Sequence, residues 1–376
     1  MPGKSTTDAI FALRQLIERF REGQENLHSV FIDLEKAYDR VPRQGIWNSL
    51  REKGVTENYV HIVQDMYSES KTQIRCADGY SDSFGVSVGL HQGSALSPLL
   101  FAIVIDCATE ETRGKAPWEM LFADDGVLST AERIEAEMRL EAWRAALENR
   151  GMRLSRSKTV YMCTGGGDKV EGSIAIEGVE IPRVEDFKYL GSTIQEDGGS
   201  DREVTKRIQA GWNGWRKITG IMCDKKAPEK LKGQMYKTMV RPAMTYGVET
   251  VALTKRQVSK FEVAEMRMLR FSLGLTLKDK VRNEEVRKRV GVGEIGQRLR
   301  EERLRWFGHV YRREEDYVGK RVQKIKVGKR RRGRPKRRWE DCVREDMETL
   351  GIREEEANDR TSWKKKITTG DPRVWD

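Results

Sequence analysis

The order of apolar and polar residues predicts both strands and helices in the first half of the chain. Residues 6–21 place apolar side chains at helical spacing behind a Ser/Thr/Asp start, which predicts an amphipathic helix. Residues 27–34 read LHSVFIDL, a short apolar run typical of a strand. In residues 120–128, MLFADDGVL, apolar residues flank two adjacent carboxylates and a glycine, which predicts two short strands that meet at a tight turn.

The most apolar stretch of the chain follows a glycine-containing turn. Residues 99–106, LLFAIVID, are apolar nearly all round and predict a buried helix, with Ser97 as its N-cap and Pro98 as its first residue. Gly89 and Gly93 leave the backbone exposed just ahead of this helix. A nucleotide can approach closely at such a place.

The second half of the chain is helical and basic in its pattern. Trp212 and Trp215 share one helical face with other apolar residues, and we expect them to lie in a core rather than to stack on bases. Residues 320–338 contain about a dozen Lys and Arg without an acid, which is typical of a disordered segment that a polyanion would order. The Arg-Gly-Arg-Pro of residues 332–335 is compatible with an A·T minor groove, and a nuclear-localisation signal fits equally well.

Composition narrows the class of protein. The 376 residues include 70 Lys and Arg against 59 Asp and Glu, a formal net charge of +11, and the mean hydropathy is -0.68. We therefore expect a soluble chain of two or three units with polyanionic partners. No apolar run approaches the roughly 20 residues that span a bilayer, and no apolar signal core begins the chain. The five scattered cysteines favour a reducing compartment, so the expected location is intracellular, in the nucleus, the cytoplasm or both.

Asp124 and Asp125 are the first candidates for chemistry. Neighbouring side chains of a strand point to opposite faces, so these two carboxylates cannot both enter a core. Their mutual repulsion would be relieved by a bound divalent cation. The alternative is an ordinary Asp-Asp-Gly hairpin turn. Asp33 closes an apolar strand, where a carboxylate is either a metal ligand or a helix cap.

Five segments, in the right order and at fitting distances, resemble the successive palm motifs of reverse transcriptases. They are residues 31–41 (FIDLEKAYDRV), 89–98 (GLHQGSALSP), 122–125 (FADD), 151–159 (GMRLSRSKT) and 187–191 (FKYLG). Residues 239–247 (MVRPAMTYG) and 333–339 (GRPKRRW) are similar to C-terminal segments of non-LTR, LINE-type, retrotransposon polyproteins. Only about thirty residues precede the first motif, where this family carries fingers segments. The chain thus resembles an N-terminally truncated fragment of such a reverse transcriptase.

The resemblance implies an α+β fold, with a right-hand polymerase palm (an antiparallel sheet with helices) followed by a helical thumb-like region and a basic C-terminal tail. We expect residues 1–25 to be a helix remaining from the fingers/palm junction and residues 26–198 to be the palm. Residues 199–300 would form the thumb-like or connection region. Residues 301–376 would form a basic region that is partly disordered.

The activity that the resemblance implies is RNA-directed DNA polymerisation. A primer 3′-hydroxyl would attack the α-phosphate of a dNTP, with two Mg²⁺ (or Mn²⁺) ions as cofactors. The implied partners are an RNA template, a DNA primer or target DNA, and dNTPs, without a membrane; the oligomeric state is not predicted. The alternative is a catalytically inactive retroelement remnant that only binds nucleic acid.

The resemblance also assigns catalytic and metal-binding roles to residues of the first, third and fourth motifs. Asp33 and Asp124 would be the principal metal ligands, with Asp125 completing the acidic cluster. Leu34 would offer its backbone carbonyl to the metal. Lys158 matches a lysine proposed to protonate the pyrophosphate leaving group.

The remaining roles concern the nucleotide, the primer and the nucleic-acid backbone. Tyr38 matches an aromatic residue that excludes a ribose 2′-hydroxyl, while Gln92 and Gly93 would border the nascent base pair. A primer-gripping hairpin is expected at Tyr189, Leu190 and Gly191. Nucleic-acid binding is expected of basic residues in the tail, namely Arg330, Arg331, Arg332, Arg334, Lys336, Arg337 and Arg338.

Overall fold

A computed structural model describes residues 5–77, 79–165, 172–328 and 336–368. They form two units. One, the sheet unit, consists of residues 26–163 and 172–184, and the other described residues form the helical unit. None of the helices among the described residues has the length and apolar character needed to cross a bilayer.

Strands and short helices alternate in the first half of the described chain, as the sequence pattern predicts. The strands are β1 (Asn26–Ile32), β2 (Lys71–Thr72), β3 (Arg75–Cys76), β4 (Gly79–Tyr80), β5 (Phe84–Gly85), β6 (Glu119–Phe122), β7 (Asp125–Thr130), β8 (Val160–Gly165), β9 (Ala175–Ile176), β10 (Val179–Glu180), β11 (Asp186–Tyr189) and β12 (Ser192–Gln195). The helices of this half are α1 (Thr6–Gly23), α2 (Ala37–Arg40), α3 (Arg43–Glu52), α4 (Glu57–Tyr67), α5 (Ser97–Thr109) and α6 (Arg133–Glu148). This mixture of helix and sheet confirms the α+β class.

The second half is helical in its described part. The helices are α7 (Asp201–Lys217), α8 (Thr219–Met222), α9 (Glu229–Met235), α10 (Arg241–Thr245), α11 (Lys255–Ser272), α12 (Asn283–Val290), α13 (Ile295–Tyr311), α14 (Val318–Gln323), α15 (Trp339–Leu350) and α16 (Arg360–Ile367). Shorter helical turns lie at Tyr236–Val240, Val248–Thr250, Leu277–Asp279 and Glu354–Asn358.

The centre of the sheet unit is a sheet with the strand order β6-β7-β1-β8. Strands β1 and β7 are antiparallel, with His28 opposite Thr130 and Ile32 opposite Gly126. Every residue of β1 after Asn26 is buried. Helix α6 packs on β1 and β7, and α3 packs against α5. The core they enclose holds strand residues together with the inner faces of these helices, and it fixes the ends of β1 and β7.

The C-terminal region beyond residue 300, expected to be partly disordered, contains packed helices in its described part. Trp339 and Trp363 are buried. The indole N–H of Trp339 donates to the carbonyl of Glu249 at 2.7 Å, and that of Trp363 donates to the carbonyl of Leu304 at 3.0 Å. The ring of Phe11, in α1, contacts Trp339 edge to face at 4.8 Å between centroids. A buried indole with a satisfied N–H anchors its helix firmly.

The two units group elements that are distant in the sequence. Helix α1, expected to be a helix remaining from the fingers/palm junction, is part of the helical unit, as is the β11–β12 hairpin. Helix α1 packs against α14, and the backbone N–H of Thr193 in β12 donates to Oε2 of Glu203 in α7 at 2.6 Å. The apolar face of a helix does not specify which distant element will cover it, so the local pattern did not reveal this grouping.

Helix α7 places its tryptophans as predicted. Trp215 is buried in the core of the helical unit, and Trp212 is partly buried against the same core. Their rings contact each other edge to face at 5.9 Å between centroids. The prediction that both lie in a core is confirmed.

Candidate active site

Strands β6 and β7 form a hairpin that carries the paired carboxylates. Phe122 is paired with Asp125, so Ala123 and Asp124 form the two-residue turn between the strands. Ala123 has a φ of 54°, in the left-handed region, where a residue other than glycine is strained by about 1–3 kcal/mol. Asp124 and Asp125 are both exposed. The predicted turn is confirmed, and it holds both acids outside the core.

Asp33 reaches the same end of the sheet from the neighbouring strand. The pairing of β1 with β7 ends at Ile32 opposite Gly126. One further step along this register sets Asp33 opposite Asp125. Residues far apart in the sequence are thereby brought together, because antiparallel strands align the end of one with the start of the other.

The backbone around Asp33 is held from its other side by the segment that carries Lys158. The backbone N–H of Ser155 donates to the carbonyl of Asp33 at 2.8 Å, and the backbone N–H of Asp33 donates to Oγ1 of Thr159 at 3.3 Å. Nζ of Lys158 lies 3.7 Å from Oδ1 of Asp33, and the lysine side chain is 69% exposed. The ammonium group therefore lies beside the acidic cluster and open to solvent.

The three carboxylates interact electrically. The surrounding protein partly desolvates the carboxylate of Asp125 and raises its pKa, and the negative charges of Asp124 and Asp33 raise it further. Burial also raises the pKa of the Tyr38 hydroxyl, with a further contribution from the charge of Asp124. The strand ends thus concentrate negative charge beside a phenol, which is an arrangement that a cation would stabilise.

The carboxylate and carbonyl oxygens at the strand ends are ligands suited to a hard divalent cation, although their present positions do not form a coordination site. No group of three or more His, Cys, Asp and Glu side chains in the described part of the chain is arranged to hold a metal ion. Oδ1 of Asp33 is buried and has no hydrogen-bond partner among the described residues. Leu34 faces Leu154 in an antiparallel bridge whose hydrogen bonds join the neighbouring residues, so they leave the carbonyl of Leu34 unused. These oxygens are the ligand type that Mg²⁺ prefers.

Tyr38 and Gln92 are each oriented by one neighbour. The ring of Tyr38 stacks on Phe101 of α5, with 4.5 Å between centroids and 22° between planes. Nε2 of Gln92 donates to Oδ1 of Asp39 at 2.7 Å. Asp39, to which sequence reasoning gave no role, thus orients the Gln92 side chain. Only the folded arrangement reveals this contact, because the two residues belong to different motifs.

The glycine turn ahead of α5 is tied to the segment that carries Tyr38. The backbone N–H of Leu90 donates to the carbonyl of Tyr38 at 2.7 Å. Gly89 has a φ of 83°, and a Cβ there would lie 2.7 Å from the carbonyl oxygen of Asp39. Gly93 is exposed with open space around it. The close approach predicted for this turn is therefore made by protein backbone at Gly89, while Gly93 leaves room for a ligand.

Helix α5 begins one residue earlier than predicted. Ser97 is its first residue, Pro98 its second, and Leu96 occupies the N-cap position without a side-chain cap. The Ser97 hydroxyl instead donates to the carbonyl of His91 at 2.5 Å. The prediction of Ser97 as N-cap is wrong, because its hydroxyl ties the preceding turn to the helix.

The hairpin expected to grip the primer is present in the helical unit. Leu190 and Gly191, with φ values of 47° and 83°, form the turn between β11 and β12. The hydroxyl of Tyr246 donates to the carbonyl of Leu190 at 2.9 Å, and a Cβ on Gly191 would lie 3.2 Å from the Tyr246 ring. Tyr189 is only 1% exposed. The turn residues, and not Tyr189, are therefore open to a ligand in this arrangement.

Part of the basic tail is engaged within the chain. Arg330, Arg331, Arg332 and Arg334 lie outside the described residues, and Lys336 is exposed.

Arg337 and Arg338 are paired with acids of the helix that follows them. The Arg337 guanidinium forms an ion pair with Glu345, and NH2 of Arg338 lies 2.9 Å from Oδ1 of Asp341. Nucleic acid would have to compete with these carboxylates for both side chains.

Comparison with known proteins places these observations in a family. A family model described as "Reverse transcriptase (RNA-dependent DNA polymerase)" matches residues 1–194. The chain is 27% identical over 258 residues to the retrovirus-related Pol polyprotein from type-1 retrotransposable element R2 of Popillia japonica, covering 63% of this chain and 35% of that protein. It is 23% identical over 292 residues to the RNA-directed DNA polymerase from mobile element jockey of Drosophila melanogaster, covering 74% of this chain and 31% of that protein.

Among solved structures, the telomerase of Candida albicans in complex with a TWJ fragment of telomeric RNA matches 86% of this chain and 53% of its own, with 13% identity and a TM-score of 0.39. The chain spans only 35% and 42% of the length of the first two curated relatives that it matches. The family match covers more than half of the chain and contains the motifs around Asp33, Asp124 and Lys158. This chain belongs to the reverse transcriptase family, and the resemblance to the enzymes of non-LTR retrotransposons is confirmed by its relatives.

Proposed function

We propose that the sheet unit is the catalytic palm of an RNA-directed DNA polymerase of a non-LTR retrotransposon, which extends a primer 3′-hydroxyl with dNTPs along an RNA template. The observation that carries this proposal is the meeting of Asp33, Asp124 and Asp125 at one end of β1 and β7, where desolvation and the neighbouring negative charges raise the pKa of Asp125. Carboxylates that are kept close despite their repulsion are typical of functional sites.

Asp33 and Asp124 would hold the divalent cations that reverse transcriptases generally use, with Asp125 and the carbonyl of Leu34 as further ligands. Two observations support this assignment: Oδ1 of Asp33 has no hydrogen-bond partner among the described residues, and the bridge to Leu154 leaves the carbonyl of Leu34 unused. When bound, two Mg²⁺ or Mn²⁺ ions stabilise the attacking and leaving oxygens of an in-line displacement at phosphorus. The turn that carries Asp124 is exposed, so its carboxylate can rotate toward a cation without disturbing the core.

Lys158 would supply the proton that the pyrophosphate leaving group takes up. Its ammonium is exposed and lies 3.7 Å from Asp33, so a proton donor is available beside the acidic cluster.

The incoming nucleotide would lie against Tyr38, Gln92 and Gly93. Stacking on Phe101 makes the Tyr38 ring a rigid surface, which suits the exclusion of a ribose 2′-hydroxyl. The hydrogen bond from Gln92 to Asp39 fixes a polar side chain next to the open backbone at Gly93, where the nascent base pair would lie.

The primer end would contact the turn formed by Leu190 and Gly191 rather than the buried ring of Tyr189. The basic residues 329–338 would add contacts to the backbone of RNA or target DNA, either in a narrow minor groove or elsewhere along it. The enzyme would act in the nucleus or the cytoplasm, where its nucleic-acid partners occur.

The direct test is incorporation of dTTP on poly(rA)/oligo(dT) with Mg²⁺ at low salt. We expect Asp124→Asn to lower the rate about a hundredfold or more, because a ligand of the catalytic cation contributes several kcal/mol to transition-state stabilisation. Asp65→Asn is the matched control, since it removes an exposed carboxylate from α4 of the same unit. Binding of the duplex should remain within about twofold in both variants.

Two results would refute this assignment. Extension by the Asp124→Asn variant at the wild-type rate would show that the strand-end carboxylates are not the catalytic centre. No extension by the wild-type chain, with tight binding of the same duplex, would favour a remnant that only binds nucleic acid.

A further inference from the structure

The helical unit contains a cavity of about 990 Å³, and the carboxylates of the sheet unit are not among its lining residues. Its walls come from residues 237–249, from one side of α13 and from the start of α16. Ligand cavities range up to about 1,000 Å³, so this one has room for a ligand of several groups. The proposed polymerase reaction does not use it.

The charges on the walls are mostly positive. Arg298 is paired with Glu302 at 2.8 Å, which leaves Glu249 as the other acid of the lining. Burial raises the pKa of Glu249 to about 7, so near neutral pH it carries only part of a negative charge. Burial raises the pKa of Glu302 as well. The acids of the lining therefore neutralise little of the surrounding positive charge. Outside the lining, Glu301 forms an ion pair with Arg305, and Glu265 forms one with Arg241.

Two of the cations are fixed in position without being neutralised. Nζ of Lys237 donates to the carbonyl of Gly291 at 3.1 Å, and NH1 of Arg312 donates to the carbonyl of Ala357 at 2.6 Å. A carbonyl fixes the direction of a side chain but leaves its charge unpaired. Among the described residues, neither Lys237, Arg312 nor the exposed Arg360 forms an ion pair with a carboxylate.

Arg312 and Arg360 are close enough to repel each other. Burial lowers the pKa of Arg312, and the positive charge of Arg360 lowers it further. Both side chains line the cavity, as do Arg305 and Arg313. Such a group of cations is stabilised when an anion enters between them, and guanidinium groups match phosphate oxygens in geometry.

Aromatic rings stand among these cations. Trp306 lines the cavity and stacks on His309, with 5.0 Å between centroids. Tyr246, also in the wall, is 38% exposed and donates its hydroxyl to Leu190 of the β11–β12 turn. Basic side chains interleaved with aromatic faces are typical of sites that follow the backbone of a single strand and stack its bases.

We propose that this cavity binds the phosphate backbone of a single-stranded nucleic-acid segment, with Arg305, Arg312 and Arg360 contacting the phosphates and Trp306 and Tyr246 contacting the bases. Because Tyr246 also contacts the β11–β12 turn, a strand in the cavity would pass beside that turn. The lining does not include the carboxylates at the ends of β1 and β7, and the cavity binds its ligand whether or not those carboxylates are catalytic.

The test measures binding of a fluorescein-labelled dT12 oligonucleotide to the full chain by anisotropy at several salt concentrations. The variant is Arg305→Gln/Arg360→Gln, which neutralises two exposed cations of the cavity. The control is Arg256→Gln/Arg267→Gln, which makes the same charge change at two exposed residues of α11 outside the cavity. A third variant, Arg305→Lys/Arg360→Lys, keeps the charge.

We expect the cavity variant to bind at least about tenfold more weakly at low salt. Its slope of log K against log salt should fall by about 1.4, because each phosphate contact on a single strand contributes about 0.7. The α11 control should keep both affinity and slope, and the lysine variant should recover most of the affinity. Asp124→Asn should bind dT12 as the wild type does, whatever its effect on extension.

Equal loss of affinity in the cavity variant and the α11 control would overturn the proposal, because the effect would then reflect net charge. Competition with inorganic pyrophosphate distinguishes a free phosphate from a strand. Tight binding of pyrophosphate that requires Arg305 and Arg360, with unchanged binding of dT12 in the cavity variant, would assign the cavity to small phosphates and also overturn it.

Discussion

Glu18 offers a quantitative test of the packing between the first helix and the C-terminal helices. It is 6% exposed in α1, and Oε2 accepts a hydrogen bond from the backbone N–H of Trp339 at 2.9 Å. Burial is the main cause that raises its pKa, from 4.5 to about 7. The folded protein therefore holds the proton of Glu18 more tightly than the unfolded chain does.

The sign of the pH dependence follows from this difference. Below pH 4.5 the residue is protonated in both states and its ionisation costs nothing. As the pH rises from 4.5 toward 7, the folded state loses stability relative to the unfolded state. Each pH unit between the two pKa values lowers the free energy of unfolding by about 1.4 kcal/mol. Above pH 7 the total loss is constant at about 3 kcal/mol.

The perturbation is Glu18→Gln, which keeps an oxygen acceptor for the N–H of Trp339 and removes the ionisation. We expect the free energy of unfolding, relative to wild type, to be about 3 kcal/mol higher at pH 8 than at pH 4. Urea titrations of both proteins across this range measure it. The amide group has a fixed packing cost of its own, so the change of the difference with pH is the quantity to compare.

Glu25→Gln is the control, because Glu25 is exposed and follows the same helix. Its stability difference is measured at the same pH values and is the baseline for the Glu18→Gln difference. A Glu18→Gln difference that is also constant from pH 4 to pH 8 would refute the reasoning, because Glu18 would then be solvated in the folded protein and α1 would not be packed as described.

Two further predictions concern the sheet unit. Asp125→Asn should raise the free energy of unfolding at neutral pH in EDTA, because desolvation and neighbouring charges raise the pKa of Asp125. This gain in stability should vanish as the pH falls below about 4, where the carboxyl is protonated in both states. Urea titrations at both pH values measure it. A gain that persists at low pH would contradict the electrostatic cause. Gly89→Ala should lower the unfolding free energy by more than about 1 kcal/mol, because its φ is 83° and its Cβ would lie 2.7 Å from a carbonyl oxygen. Gly54→Ala, at a φ of 76° with open space around it, is the control that isolates the steric part, and equal losses in the two variants would exclude that part.

Local sequence patterns predicted those elements whose structure depends on residues close together in the sequence. The hairpin around Asp124 and the strand that ends before Asp33 follow from short apolar runs and turn residues that act within a few positions. The grouping of these acids with Lys158 was implied by a resemblance, because no periodicity relates Asp33 to Asp124, 91 positions later, or to Lys158, 125 positions later. The orientation of Gln92 by Asp39 was outside the reach of either argument.

The C-terminal region shows where reasoning from composition fails. The high density of Lys and Arg concealed the helix that begins at Trp339, although Arg338 and Asp341 stand at the i, i+3 spacing of a helix start. The charged residues of α16 likewise conceal that Trp363 is buried, because a single aromatic side chain can anchor a helix that is otherwise charged. The basic cavity could not be predicted from the sequence, because its cations come from segments more than a hundred residues apart.

The position of α1 has a consequence for the order of folding during synthesis. The hydrogen bond between Glu18 and Trp339 joins residues 321 positions apart, and the whole sheet unit lies between them in the sequence. Closing a flexible loop of that length would cost about 5 kcal/mol of chain entropy. The ribosome delivers α1 first and its partners last, so this helix waits while the sheet unit, whose contacts are nearer in sequence, becomes structured. A folded sheet unit shortens the effective loop, so its folding favours the later packing of α1 against the C-terminal helices.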